Sequence, residues 1–299
     1  MLRRIKPLLH EWLDESGQET KGVGMETFRF QPGETPVLLS IPHVGTVVPP
    51  DIAATMTDSA LAMPDTDWHL DRLYHFAPAL GIGFLKPILS RYVIDLNRDP
   101  DSDLPIPGGA SSTELCPLTT FDHQPVYRPG QEPDAVEVRR RIGAYWRPYH
   151  EQLNGELQAL KERFGVAVLF DAHSIRSRVP RFFDGQIQDF SLGTAEGTSA
   201  SPALVGRVMN VLTATGRFSS VQNGRFKGGF ITRRYGNPAD NIHSIQLELS
   251  QLTYMDEEAP FGFREESARQ VRPTLERLLS LVVEWAWENA AGRRRSAFL

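Results

Sequence analysis

The sequence predicts an α/β fold: a mixed, largely parallel central sheet flanked by helices. Strand-like and helix-like segments alternate along the chain, and several strand runs are apolar on both faces, as in strands covered by helices on each side. Four of those runs stop in polar or charged residues, at the end of the strand where such sheets bind ligands. The chain has 299 residues, 40% hydrophobic and 23% charged, with a net charge of −5. A single core stops growing at about 250–300 residues, so the length allows one large domain or two; with no repeats or low-complexity linkers, one domain over 25–292 is expected. Residues 1–24 read as an extension of unknown role and 293–299 as a solvated tail.

Taken in order, residues 27–33 and 36–42 read as a strand pair joined by the turn "QPGE". The segment "DTDWHLDRLYHFAPAL" spaces Trp68, Leu70, Leu73, Phe76 and Leu80 as one helix face, with Asp65 or Thr66 as cap. "RYVIDLNR" reads as a strand. Residues 99–132 are rich in Pro, Gly, Ser and Asp and are expected to be irregular. Residues 134–165 form a long helix broken near Pro148, followed by the strand "VAVLFDAH". A helix over 202–215, a strand near "SSVQ", the Gly-rich "NGRFKGGF" and the strand "HSIQLELS" come next. A helix over 262–291 closes the chain, and its stripe Leu278, Leu279, Leu281, Val282, Val283 and Trp287 reads as core.

Several classes are set aside by composition. The chain is acidic overall, and its one Arg run lies in the tail, so no nucleic-acid partner is expected. "MLRRIKPLLHEWL" is interrupted by His10 and Glu11, short of the about 7–15 apolar residues of a secretion signal. No stretch approaches the about 20 apolar residues of a membrane span. A single Cys116 excludes an internal disulfide and a Cys-built zinc site. No phosphate loop is present, so no nucleotide is expected. The cytoplasm is the expected compartment and a small molecule the expected partner.

The polar strand ends carry the chemistry. "VLLSIPH" stops at His43, "RYVIDLNR" at Asn97 and Arg98, "VAVLFDAH" at His173, and "HSIQLELS" holds Glu248. Each has an ordinary structural reading: a hydrogen-bonded loop histidine for His43, a turn cap for Asp171, a surface ion pair for Asn97 to Asp99. Glu248 resists one. It alternates with Leu247 and Leu249, and a carboxylate inside a central strand is costly unless paired. Two histidines and a carboxylate that leave a fourth position open match catalytic zinc. A further carboxylate would then act as base on the water, and Asp171 would orient His173 through its other ring nitrogen.

"SIPHVGTVVPP", "DTDWHLDRLY", "SRYVIDLNRDP", "DAHSI", "GGFITRRYG" and "IQLELSQLTYMDE", in this order, resemble the N-formylglutamate amidohydrolases over about residues 36–285. That family looks like a branch of the zinc carboxypeptidase and aspartoacylase group. The resemblance implies His43 and His173 as zinc ligands, Asn97 and Arg98 as a carboxylate clamp, Glu248 as catalytic base, and Arg91 as the group polarising the scissile carbonyl. It implies hydrolysis of N-formyl-L-glutamate, with a related deacylase, a small-peptide carboxypeptidase or a metal-free binding protein as alternatives. The wider group has His-x-x-Glu, whereas this chain has Thr46. The carboxylate ligand is therefore sought in "DTDWHLD"; the resemblance implies Asp67, since the wider amidohydrolase family has an Asp at a comparable distance before the "RYVIDLNR" block, with Asp65 next. Arg233 or Arg234, beside Lys227, is a candidate for a second carboxylate. His243 reads as structural, and His150 as packing or hydrogen-bonding between helix turns.

Overall fold

The computed structural model describes residues 26–101, 113–214 and 216–291. The extension 1–24, most of the "DPDSDLPIPGGASS" segment and the Arg run of the tail lie outside the described residues. The strands are β1 (Phe28–Gln31), β2 (Val37–Ser40), β3 (Gly83–Pro87), β4 (Ala167–Ile175), β5 (Phe190–Gly193), β6 (Ser220–Gln222) and β7 (Ile242–Ser250). They form one seven-stranded sheet in the order β1-β3-β2-β4-β7-β5-β6. The pairs β2/β3, β2/β4, β4/β7 and β5/β6 are parallel, while β1/β3 and β5/β7 are antiparallel. This is the mixed, largely parallel sheet that the sequence predicts.

The two longest strands, β4 and β7, are buried at every position and lie side by side near the centre. The helices Arg147–Phe164 and Glu265–Asn289 both pack against β2 and β4. Leu278, Leu279 and Val282 of the last helix are buried in the main core cluster, with Leu281, Val283 and Trp287 packed against it. The break near Pro148 takes the form of a π-helical turn, Ile142–Trp146, between the helices Ala135–Arg141 and Arg147–Phe164.

Three local expectations are corrected, and two strands are added. First, β1 and β2 do not pair with each other; β3 lies between them, antiparallel to β1 and parallel to β2. A Pro-Gly turn reverses the chain but does not choose the partner. Second, residues 65–80 hold only the short helix Leu70–Leu73 and a 3-10 turn, Ala77–Leu80. His69 precedes that helix at φ +63, and Asp65 and Thr66 cap nothing. Third, "RYVIDLNR" is a series of turns, not a strand. Its apolar residues Tyr92, Val93, Ile94 and Leu96 are buried without any ladder. The added strands, β3 and β5, had no counterpart in the sequence reading, being short runs of five and four residues.

The end of β2 makes room for a site. β4 is paired with β2 only as far as Asp171, opposite Ser40, so His173 lies past the last ladder bond on that side. Pro42 has no amide hydrogen and cannot extend the ladder. The chain instead turns through His43 and passes hard against residues 88–90, where the Thr46 and Val47 amides donate to the Ile88 carbonyl. Gly45 permits this approach: a Cβ there would lie 2.1 Å from the Leu89 carbonyl oxygen.

Candidate metal and hydrolase site

Three buried side chains converge beyond β2. His43, Asp67 and His173 offer donor atoms within 4.8 Å of one another. Both imidazoles point Nδ1 at the same atom, Asp67 Oδ2, at 3.8 Å from His43 and 3.3 Å from His173. Asp67 is placed by its amide, which donates to the His43 carbonyl, and by the Ser174 amide, which donates to its Oδ2 at 3.1 Å.

The opposite nitrogen of each ring meets a carboxylate. His43 Nε2 lies 2.7 Å from Asp95 Oδ1, and His173 Nε2 lies 3.1 Å from Asp171 Oδ2. A carboxylate can only accept, so a neutral His43 carries its proton on Nε2 and turns its Nδ1 lone pair toward Asp67; His173 Nε2 donates to Asp171 in the same way, with the Asn97 Nδ2 donor also facing it at 3.2 Å. Asp171 thus occupies the orienting position expected from the sequence. Asp95 is the equivalent residue for His43 and was missed. Its signal was an acid flanked by Ile94 and Leu96, the pattern that drew attention to Glu248. Asp95 is itself fixed by the Asn97 amide at 2.8 Å and by Arg91 at 2.8 Å.

The electrostatics follow from this packing. Burial opposes ionisation of Asp95, but His43, Arg91 and Arg98 outweigh it and hold its pKa well below the usual carboxylate range. Burial likewise opposes ionisation of Asp67, and His173, His43 and Arg91 bring its pKa below normal. Burial disfavours charge on His173, but Asp171, Asp67 and Glu248 around it push its pKa well above normal. A pocket of carboxylates that favours positive charge on an imidazole suits a dication, which would take over that charge and leave the ring neutral.

A cation fits this donor set. Two neutral imidazoles and a carboxylate with an open side are the donors of a catalytic zinc site, and their separations approach those subtended by bonds of about 2.0–2.2 Å. Asp65, the next candidate ligand, is not in this group of donors: its Oδ2 accepts from the Tyr92 hydroxyl at 2.6 Å and the Phe121 amide at 2.8 Å, and its buried Oδ1 makes no hydrogen bond among the described residues. His69 donates to the Phe261 carbonyl at 2.7 Å, and Asp71 pairs with Lys86 at the surface.

Glu248 enters the same space from β7, in register with His173 on β4. It is 6% exposed, and its nearest polar partner is Gln246 Nε2 at 3.4 Å. Burial pushes its pKa up to about 8, against the pull of His173. A cleft of about 550 Å³ joins it to His43, Asp67, Arg91, Asn97, Arg98, His173 and Arg233. Arg91 donates to Asp95 and to the Asp65 carbonyl, and its charge lies 3.7 Å from Asp67. Arg98 donates to the Thr113 carbonyl and hydroxyl and to the Asn97 carbonyl; no carboxylate among the described residues pairs with it. Arg233 lines the cleft and donates to the Gly228 carbonyl, whereas Arg234 is not among the lining residues.

Asn97 is drawn inward. Its Oδ1 accepts from the Ile231 amide at 2.8 Å, and its Nδ2 lies 3.2 Å from His173 Nε2. Gly229 lies flat against it: a Cβ there would sit 2.2 Å from Nδ2. The Gly-rich segment is therefore pressed onto the amide beside His173. His243 is remote from this site, with Nδ1 accepting from the Ser201 amide and its ring against Trp285.

Comparison with known proteins now bears on this geometry. The model of the family described as N-formylglutamate amidohydrolase matches residues 35–255. An N-formylglutamate deformylase of Pseudomonas aeruginosa is 48% identical over 266 residues, covering 89% of this chain and 99% of its own. One from Pseudomonas putida is 46% identical over 260 residues, covering 87% and 97%. The crystal structure of N-formylglutamate amidohydrolase from Ralstonia eutropha JMP134 superposes with a TM-score of 0.75 at 27% identity, covering 88% of this chain and 99% of that one. A gene product of Agrobacterium tumefaciens shares the fold, with a TM-score of 0.64 at 14% identity over 87% of this chain and 97% of that one.

Proposed function

This chain belongs to the N-formylglutamate amidohydrolase family, and on that premise we propose that it hydrolyses N-formyl-L-glutamate to L-glutamate and formate. The observation that carries the reading is the convergence of His43, Asp67 and His173 with Glu248 and the arginines on one cleft. Such a reaction belongs to histidine breakdown, in the cytoplasm.

His43 Nδ1, His173 Nδ1 and one Asp67 oxygen would hold a divalent ion, zinc by the donor chemistry. When bound, the ion supplies Lewis acidity and brings the pKa of water to about 7. Asp95 and Asp171 hold the rings in the tautomer that leaves both Nδ1 atoms free. Glu248 is the general base. It takes a proton from the attacking water as the water oxygen bonds to the formyl carbon, and returns it to the amide nitrogen as the C–N bond breaks. A positive charge nearby keeps the Glu248 carboxylate ionised against the effect of burial.

Arg91 uses two of its donors to hold Asp95 and the Asp65 carbonyl; we assign its remaining N–H groups to the developing oxyanion. Arg98 takes one substrate carboxylate, with Asn97 fixing the backbone from which it projects. Arg233 takes the other, the choice over Arg234 resting on its place in the cleft. The test is formate release across a series of N-formyl amino acids, with and without a chelator. N-formylglutamate should be the preferred substrate, its diamide should react poorly, and chelation should stop the reaction. Equal turnover of the diamide would remove the carboxylate clamp from the account.

A further inference from the structure

Leu96, Asn97 and Arg98 carry the anchor of the cleft on backbone with no sheet ladder. Their position must therefore be set by other bonds. The Leu96 carbonyl accepts from His150 Nε2 at 2.8 Å, and the Arg98 carbonyl accepts from the Trp146 indole at 3.1 Å. Since a carbonyl can only accept, His150 Nε2 is protonated. Its Nδ1 accepts from the Tyr235 hydroxyl at 2.9 Å. Tyr235 closes the helix Phe230–Tyr235, which carries Arg233.

One imidazole thus ties the backbone beneath Arg98 to the helix beneath Arg233. The His150 ring stacks on Trp146 at 3.7 Å between centroids and meets the edge of Phe230 at 5.6 Å. Trp146 is the last residue of the π-helical turn, an irregularity that collects at functional sites. His150 is 4% exposed, and neither it nor Trp146 lines the cleft.

We propose that His150 and Trp146 are positioning residues for substrate binding, fixing the spacing of Arg98 and Arg233. The proposal rests on the reading that these two arginines receive the substrate's carboxylates. Like charges facing one cleft drift apart unless something holds them, and a preset spacing spares the substrate that ordering on binding. The brace touches neither the metal donors nor Glu248, so its loss should appear in binding and not in the chemical step.

The experiment is steady-state kinetics on N-formylglutamate, with bound metal measured, for His150→Leu, His150→Gln and Trp146→Phe beside Arg98→Met. His150→Leu should raise KM about tenfold or more, with kcat within about threefold and metal unchanged. His150→Gln, whose amide nitrogen reaches the Leu96 carbonyl, should recover most of that loss. Trp146→Phe keeps an aromatic ring against His150 but loses the indole N–H and its hydrogen bond, so its KM should rise by about fivefold. If His150→Leu fails to fold, the other two variants decide. Normal KM in His150→Leu and Trp146→Phe, beside a raised KM in Arg98→Met, overturns the proposal alone. So does a loss of kcat and metal without a change in KM. A normal KM in Arg98→Met overturns the carboxylate assignment beneath it, and the proposal with it.

Discussion

His173 and Glu248 sit on neighbouring strands in register, whereas Asp67, Arg91, Asp95, Asn97 and Arg98 sit on backbone that makes no ladder. The two halves are positioned by different means. On β4 and β7 the strand hydrogen bonds aim the side chains, and removing one functional group leaves its neighbours in place. In the irregular half each group is held by another: Asp95 by Arg91, Asn97 by Ile231, Arg98 by Trp146. The first half should therefore lose chemistry when mutated, and the second should lose geometry.

The largest effect should come from the strand half. Glu248→Gln keeps the shape of the side chain but cannot accept the proton. It should lower kcat by about 10²–10⁴-fold while the protein still binds metal. A Gln variant with near-normal kcat would make Glu248 structural and leave the strand half without its base.

A smaller effect belongs to the irregular half. Asp95→Asn loses the carboxylate that selects the His43 tautomer and leaves Arg91 without the closer of its two ion-pair partners. Metal affinity should fall by about 10–100-fold, the usual cost of losing such a support. Metal titration of Asp95→Asn and Asp171→Asn side by side sharpens the contrast. The Asp171 variant should fall less, since the ladder on β4 still aims His173. Equal losses would mean that the ladder contributes nothing to ligand placement.

How much of this was legible in the sequence follows the same division. β4 and β7 stand out as long apolar runs, and Glu248 between Leu247 and Leu249 marked itself by its cost. His43, Asp67 and His173 read in the sequence as the candidate ligand set, with Asp65 as the runner-up to Asp67, and the structure brings the donors of the first three within 4.8 Å of one another. "RYVIDLNR" was misread because burial of Tyr92, Val93 and Ile94 looks the same whether a ladder or a string of turns produces it. Asp95 was lost with that misreading, since its role depends on where the turns carry it. The pairing of β1 and β2 with β3 follows from a long-range choice that a local turn signal does not encode. The work of His150 was invisible for the same reason: its partners, Leu96 and Tyr235, lie far away in the chain.

The smallest expected effect is on stability. Burial lowers the His150 pKa from 6.5 to about 4. Between those values the unfolded chain binds a proton that the folded chain refuses. Stability should therefore be complete above pH 6.5 and fall as the pH drops toward 4. The loss attributable to this one group is on the order of 1 kcal/mol between about pH 7 and 5.5. Urea unfolding at both pH values should show a shallower loss for His150→Gln than for the parent. Parallel losses would remove His150 from the pH dependence.

The meeting point of the two halves is Asp67, which takes the Ser174 amide from the strand side and faces both imidazoles. The most direct test is therefore divalent-metal content of the purified protein after zinc loading and gel filtration, measured for the parent and for Asp67→Ala. The parent should retain a single tightly bound ion, removable by chelator with loss of formate release, and Asp67→Ala should retain far less. A parent that releases formate without any bound metal, or an Asp67→Ala variant that holds the ion as tightly as the parent, would contradict the account.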